Sequence, residues 1–309
     1  MQTLYQIIRT VRPRQWLKNL AVFAAPVFLG YFFEPEVFSL SIKAFIAFSM
    51  FASGTYIFND LIDAPKDRLH PIKKNRPIAS GKLPKSTAVF LLITIYFFSI
   101  AWSLSSIGTY FALTGLIYIL LQVGYSLYFR NVIILDALIV SSGFILRVFA
   151  GGFAVNVSIS SWLILTTIGL SLLMAFGKRR SEKTILEKHA VEQKTRKTLQ
   201  HYPDSLLDSM ISMSASFCIL SYSLFTFQTS PAVDTASFSV LLPSILKDPK
   251  WMMLTIPVVI YGVSRYLYLI YEKKEGESPE RILLSDKPIL AAVILWAIMV
   301  FTIIYLLPN

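Results

Sequence analysis

"NDLIDAPKDRLHPIKKNRPIASG", running from Asn59 to Gly81, places Asp60, Asp63 and Asp67 just ahead of Arg68, Lys73, Lys74 and Arg76, directly behind a strongly apolar run. Asn59, Asp63 and Asp67 stand four residues apart and Asp60 lies three before Asp63, so on a helix the amide oxygen and the carboxylates share one face. Pro65 removes a backbone donor and biases Ala64 away from helix, which predicts a helix ending near Asp63 with Asp67 reaching back from the turn. A helix C-terminus is partly negative and favours a cation. Oxygen ligands without histidine or cysteine select Mg²⁺ or a similar hard ion, which is usually held by one or two carboxylates plus substrate phosphates. The stretch therefore predicts a metal and a phosphorylated ligand. A merely solvated loop accounts for it less well. The positive-inside bias gains little from aspartate, and Asn59 and Asp60 precede the end of the apolar run, where a polar pair is costly unless it meets a wet cavity.

Around this stretch the chain reads as a membrane protein. Its 309 residues are 55% hydrophobic and 14% aromatic, with a mean hydropathy of +0.60, well beyond a soluble domain. A window of about twenty residues divides it into nine expected spans, near 16–33, 38–62, 86–104, 108–128, 132–156, 161–177, 207–228, 251–271 and 288–307. The fold class expected is all-α and polytopic, a single membrane domain over 1–309, since no soluble domain fits in the remaining loops. "MQTLYQIIRTVRPRQWLKN" has spaced apolar residues with Arg9, Arg12, Arg14 and Lys18, suiting a helix on the bilayer surface. The run that follows is long enough to span and reads as the first helix, not a secretory signal.

The net charge of +11 sits between apolar runs, where it reads as topology signal and anion ligand; nucleic acid is not an expected partner. Lone Cys218 excludes a disulfide within the chain. His70, His189 and His201 lie in loops and receive no catalytic role. Lys66, Arg68, Lys73, Lys74, Arg76, Lys82 and Lys85 load the 63–85 connection. Lys178, Arg179, Arg180, Lys183, Lys188, Lys194, Arg196 and Lys197 load the 178–205 connection. Both are expected on the cytoplasmic side of the cell membrane, with the N-terminus and the 272–287 loop. Arg147 lies inside the fifth apolar run and Asp136 eleven residues earlier, about three turns, sharing a face with Gly143 and Gly151. Both are expected to line a cavity wall, since intramembrane arginine marks a pathway or site.

The pattern Asn-Asp-x-x-Asp-x-x-x-Asp at 59–67 followed by "RPIASG" at 76–81 resembles the first motif of the UbiA-type membrane prenyltransferase superfamily. That resemblance implies nine spans around a central cavity open toward the cytoplasm and two acidic motifs holding Mg²⁺ on a prenyl diphosphate. The second motif departs: "MAFGKRRSE" at 174–182 offers Lys178, Arg179 and Arg180, with only Glu182 acidic. Three fixed cations suit a bare phosphate. The decaprenyl-phosphate phosphoribosyltransferase branch has this arrangement. The likeness extends through "VRPRQWLKN" at 11–19, "YSLYFRNVIILDALIVSSGFILRVFAGGFAV" at 125–155, "AFGKRRSE" at 175–182 and "RYLYLIYEKKEGESPERILLSDKP" at 265–288.

The branch implies transfer of phosphoribose from 5-phosphoribosyl diphosphate to a polyprenyl phosphate, releasing diphosphate and making a precursor of arabinose donors. By the resemblance, Asp60 and Asp63 are catalytic and hold Mg²⁺ with Asn59 and Asp67. Lys18, Asn19, Lys73, Arg76, Tyr125, Arg130, Lys178, Arg179, Arg180 and Arg265 are the candidate phosphate ligands, Arg130 standing where lysine is common. An aromatic prenyltransferase of quinone or haem synthesis shares the fold and is disfavoured by the missing second motif; a transporter is the non-enzymatic alternative. Self-association into a homo-oligomer is left open.

Overall fold

The computed structural model describes residues 2–69, 73–188, 202–229, 250–273, 282 and 285–307. Of the basic connection expected at 178–205, residues 178–188 instead continue a helix, and 189–201 lie outside the described residues, as do 230–249, most of 274–284, and His70, His189 and His201. All regular structure among the described residues is helical. The main helices are α1 Gln2–Val11, α2 Ala24–Phe28, α3 Pro35–Asp67, α4 Lys85–Ser106, α5 Thr109–Leu127, α6 Leu135–Ala154 and α7 Ser161–Lys188. They continue with α8 Asp204–Thr229, α9 Ile256–Tyr268 and α10 Lys287–Phe301.

Eight helical segments among the described residues are long and apolar enough to cross a membrane, against nine expected spans. The difference is the stretch 16–33, which is not one α-helix. Pro13–Phe23 is a 3₁₀ segment, and it passes into α2, which contains Pro26. At about 2.0 Å per residue for 3₁₀ and about 1.5 Å for α, the two pieces together reach about 30 Å, the hydrocarbon thickness of a bilayer. The stretch has the length of a crossing without the hydrogen bonding of a long α-helix.

The expected helix end near Asp63 is corrected. α3 runs through Pro65 to Asp67. Pro65 lies in the last turn, so its missing N–H removes a single helical bond, the one to the Leu61 carbonyl, and the Arg68 amide closes the end on the Ala64 carbonyl at 3.2 Å. Packing overrides the local bias: Ile57 and Ala64 are fully buried against Ile78, Leu83 and Ala88.

The chain packs as two compact units, Met1–Val27 with Tyr31–Ser158 and Phe28–Gly30 with Ile159–Asn309. In the first, α3 is the central helix, touching α4, α5, α6 and the 3₁₀ segment. Phe48, Phe51, Phe111 and Tyr118 form its aromatic core. The 3₁₀ segment lies so close to α6 that a Cβ on Gly151 would strike the Val22 carbonyl. Outside, α4 exposes Phe90, Ile93, Phe97 and Phe98, as a face in lipid requires. In the second unit α7 and α8 are the most intimate pair, Gly169 admitting the Cys218 backbone. There Trp296 Nε1 donates to the Tyr222 hydroxyl at 2.7 Å and Tyr222 bonds Thr255 Oγ1 at 2.6 Å, joining α10, α8 and the 3₁₀ turn Trp251–Thr255.

Candidate active site

The loop after α3 builds one side of the acidic cluster. Ile78 and Leu83 plug into the core, Gly81 turns the chain at φ +77°, and Arg68 Nε donates to the Ala79 carbonyl at 3.1 Å. Folding "RPIASG" back in this way delivers Arg76 to α3, where its Nη1 bonds Asp60 Oδ1 at 3.1 Å and Asp67 Oδ2 at 2.7 Å. From the other side Arg12 Nη2 donates to the same Asp60 oxygen at 2.5 Å, with its guanidinium 5.3 Å from the Tyr56 ring centre. Arg130, in the turn Phe129–Asn131 after α5, bonds Asp63 Oδ1 at 2.7 Å. The Ser126 hydroxyl bonds both the Asn59 side-chain oxygen and the Gln122 carbonyl, fixing how the amide points. Asp60 and Asp67 are buried while Asp63 is partly exposed.

The structure thus brings Asn59, Asp60, Asp63, Asp67, Arg76 and Arg130 together, as the spacing predicted for the acids. Tyr125, beside Ser126 at the end of α5, is buried. Lys73 stands in the exposed turn Lys73–Asn75 and Lys18 is half-buried on the 3₁₀ segment. Among the described residues no group of three or more histidine, cysteine or acidic side chains gathers as a ready-made ion site. The donors present are nonetheless hard oxygens on one helix face, a set that fits an ion held by one or two carboxylates and completed by substrate phosphates.

Arg12 and Ser126 were missed by sequence reasoning. Arg12 was visible only as one of several basic residues in "VRPRQWLKN", and serine carries no signal of its own. Asn19 and Arg147 meet inside the first unit. Arg147 Nε donates to Asn19 Oδ1 at 2.7 Å, Nη1 to the Gly143 carbonyl at 2.6 Å and Nη2 to the Tyr118 hydroxyl at 3.2 Å, while Asn19 Nδ2 donates to Ser49 at 2.9 Å. Both residues are buried, so the Asn19 amide is spent on packing partners at each end. Asp136 is buried in the first turn of α6, where a carboxylate suits the helix dipole.

The second unit holds the other cations. Arg179 is buried and pairs with Glu182 at 2.6 Å, whereas Arg180 crosses to α8, reaching Asp208 at 2.9 Å and Asp204 at 3.5 Å. Lys178 approaches Glu182 only at 3.8 Å and keeps 40% of its side chain exposed. Arg265 grips Asp286 through Nε and Nη2 at 3.2 and 2.9 Å, and Asp286 caps α10 by accepting from the Ile289 amide.

These features define a multi-pass, all-helical membrane protein carrying an arginine-paired acidic motif at the end of one long helix. The chain belongs to the UbiA prenyltransferase family, whose model matches residues 22–181. It is 33% identical to the decaprenyl-phosphate phosphoribosyltransferase of Corynebacterium glutamicum over 98% of this chain and 87% of that one. The enzyme of that name from Mycolicibacterium smegmatis is 34% identical over 94% and 89%. The fold is that of a UbiA homolog from Archaeoglobus fulgidus bound to GPP and Mg²⁺, with a TM-score of 0.66 over 97% of this chain and 99% of the other, at 18% identity.

Proposed function

We propose that this protein transfers a 5-phosphoribosyl group from 5-phosphoribosyl diphosphate to a polyprenyl phosphate, of which decaprenyl phosphate is the model, releasing diphosphate and supplying a lipid-linked pentose for the cell envelope. The observation that carries the reading is near-full-length identity to enzymes named for this transfer. The chemistry of the two basic regions agrees with it. Asp60 and Asp63, with Asn59 and Asp67 beside them, would hold Mg²⁺, which when bound supplies Lewis-acid assistance to the departing diphosphate. Ser126 keeps the Asn59 oxygen aimed, and Arg76 and Arg130 can pass from aspartate to phosphate with charge-assisted bonds. Lys73 and Lys18 add cations for the same groups. Lys178 is the side chain of "GKRRSE" best exposed to receive a phosphate. Arg179 acts chiefly within α7, Arg180 by fastening α7 to α8, and Arg265 by fastening α9 to the start of α10.

The lipid phosphate is already anionic near neutral pH, so its oxygen attacks the sugar carbon without a general base. Burial of Asp60 and Asp67 strengthens every charge contact made there. The basic connections of the sequence support a cytoplasmic site in the cell membrane. The test is mass spectrometry of lipid products from purified protein with Mg²⁺, both substrates, and Asp60→Asn as control. Expected are a polyprenyl phosphate carrying phosphoribose and its loss in Asp60→Asn, which keeps an oxygen acceptor for Arg12 and Arg76. Prenylated 4-hydroxybenzoate from a prenyl diphosphate, with no phosphoribosyl lipid, would overturn the proposal.

A further inference from the structure

We infer that Arg12 is an exchangeable ligand of the acidic cluster: it holds Asp60 until a divalent cation takes that carboxylate, then turns its guanidinium to the phosphates the cation brings. Three observations converge on it. First, Arg12 occupies the left-handed region at φ 56°, ψ 63°, one of three non-glycine residues with positive φ among the described residues. This conformation is unfavourable for an L-residue and persists only where surroundings enforce it. Arg12 is the junction between α1 and the 3₁₀ segment, and from there its side chain reaches α3. Second, the oxygen it holds is shared. Asp60 Oδ1 accepts from Arg12 at 2.5 Å and from Arg76 at 3.1 Å, so a cation approaching that oxygen must displace one donor. Arg76 stays anchored on Asp67 at 2.7 Å whichever donor yields, whereas Arg12, paired among the described residues with Asp60 alone, is the guanidinium set free when its bond gives way. Third, Arg12 is placed for movement. Its side chain is 28% exposed while that of Asp60 is 2% exposed, and the Tyr56 face gives the guanidinium a resting surface.

Charge balance supplies the reason. Asp60, Asp63 and Asp67 are matched by Arg12, Arg76 and Arg130. A bare divalent cation added to this set meets guanidinium repulsion, whereas a cation arriving with a diphosphate brings anions for the displaced arginines. Arg12 thereby makes the site favour the metal and diphosphate together over the metal alone. This rests on the metal reading above. Its experiment uses neither pentose donor nor lipid, so absence of phosphoribosyl transfer leaves it standing.

The full-length protein in nanodiscs is titrated with Mn²⁺ alone, followed by electron paramagnetic resonance, and then with inorganic diphosphate at saturating Mn²⁺. Arg12→Gln is expected to bind Mn²⁺ about tenfold more tightly and Mn²⁺-dependent diphosphate about tenfold more weakly, the size of one charge-assisted hydrogen bond. A simple fold staple would not produce these opposite shifts. If both affinities stay at the wild-type values, or both move in one direction, the inference is wrong. Should Arg12→Gln fail to fold, Arg12→Lys decides by the same pair of titrations, since its point charge cannot keep the guanidinium geometry.

Discussion

Arg147 Nε donates to Asn19 Oδ1 at 2.7 Å, tying α6 to the 3₁₀ segment with a buried guanidinium whose hydrogen-bond partners among the described residues are all neutral. Three aromatic rings, of Phe48, Tyr118 and Phe144, lie 5.0 to 5.5 Å from it and supply the negative faces that a carboxylate would otherwise provide. Asn19→Ala leaves Arg147 Nε without its acceptor and Ser49 without its donor. The expected loss is about 1–3 kcal/mol per orphaned group, read as a lower melting temperature in detergent. Asn19→Asp supplies a carboxylate in the same place and should melt above Asn19→Ala. Equal melting of Asn19→Ala and wild type would show that this contact contributes nothing.

Gly151→Ala tests the same seam without touching a charge. The added methyl meets the backbone of Val22, which cannot rotate away, so α6 and the 3₁₀ segment must part. Overpacking of this kind costs about 1–3 kcal/mol. Gly262→Ala is the control, since nothing lies within 4 Å of its Cβ, and there the change should be neutral or slightly stabilising. Thermal unfolding that ranks the two variants the other way would refute the close approach.

The acidic cluster was legible because three- and four-residue spacing is a property of the helix itself, and polar residues inside an apolar run announce a cost that needs a reason. The continuation of α3 through Pro65 was not legible, because it depends on Ile78 and Leu83 returning from outside the helix to bury Ala64. The 3₁₀ build of Pro13–Phe23 was hidden for a similar reason: its composition is that of any membrane crossing, and only its contacts with α3 and α6 decide the geometry. Arg12 escaped because its role lies in a backbone angle and a partner 48 residues away. Of "GKRRSE", the charges were visible but their division was not. Arg180 faces two aspartates of α8 that no local pattern connects to it.

Removal of divalent metal should separate activity from folding. Asp60, Asp63 and Asp67 already pair with arginines, so the fold has no need of a cation to relieve repulsion among them. Exhaustive chelation is therefore expected to abolish phosphoribosyl transfer, restored by Mg²⁺, with little change in melting temperature. Turnover that persists after chelation would remove the metal from the proposed function.

Lys178 and Arg180, two residues apart, should give opposite results. Arg180 bridges α7 to Asp204 and Asp208 at a partly exposed position, so Arg180→Ala is expected to cost stability, about 1 kcal/mol or less given solvent screening. Its kinetic constants should follow only as far as the helix shifts. Among the described residues Lys178 holds no short contact, its approach to Glu182 being 3.8 Å, and Lys178→Ala should melt like wild type. If its ammonium binds a substrate phosphate, kcat/KM for one of the two substrates should fall by about ten- to a hundredfold, the range of a charge-assisted hydrogen bond. Steady-state kinetics with each substrate varied in turn, alongside melting curves of both variants, checks the contrast. Wild-type kinetics in Lys178→Ala would leave the basic run as a topology signal and helix clamp, and would weaken the case for a bare phosphate bound at this part of α7.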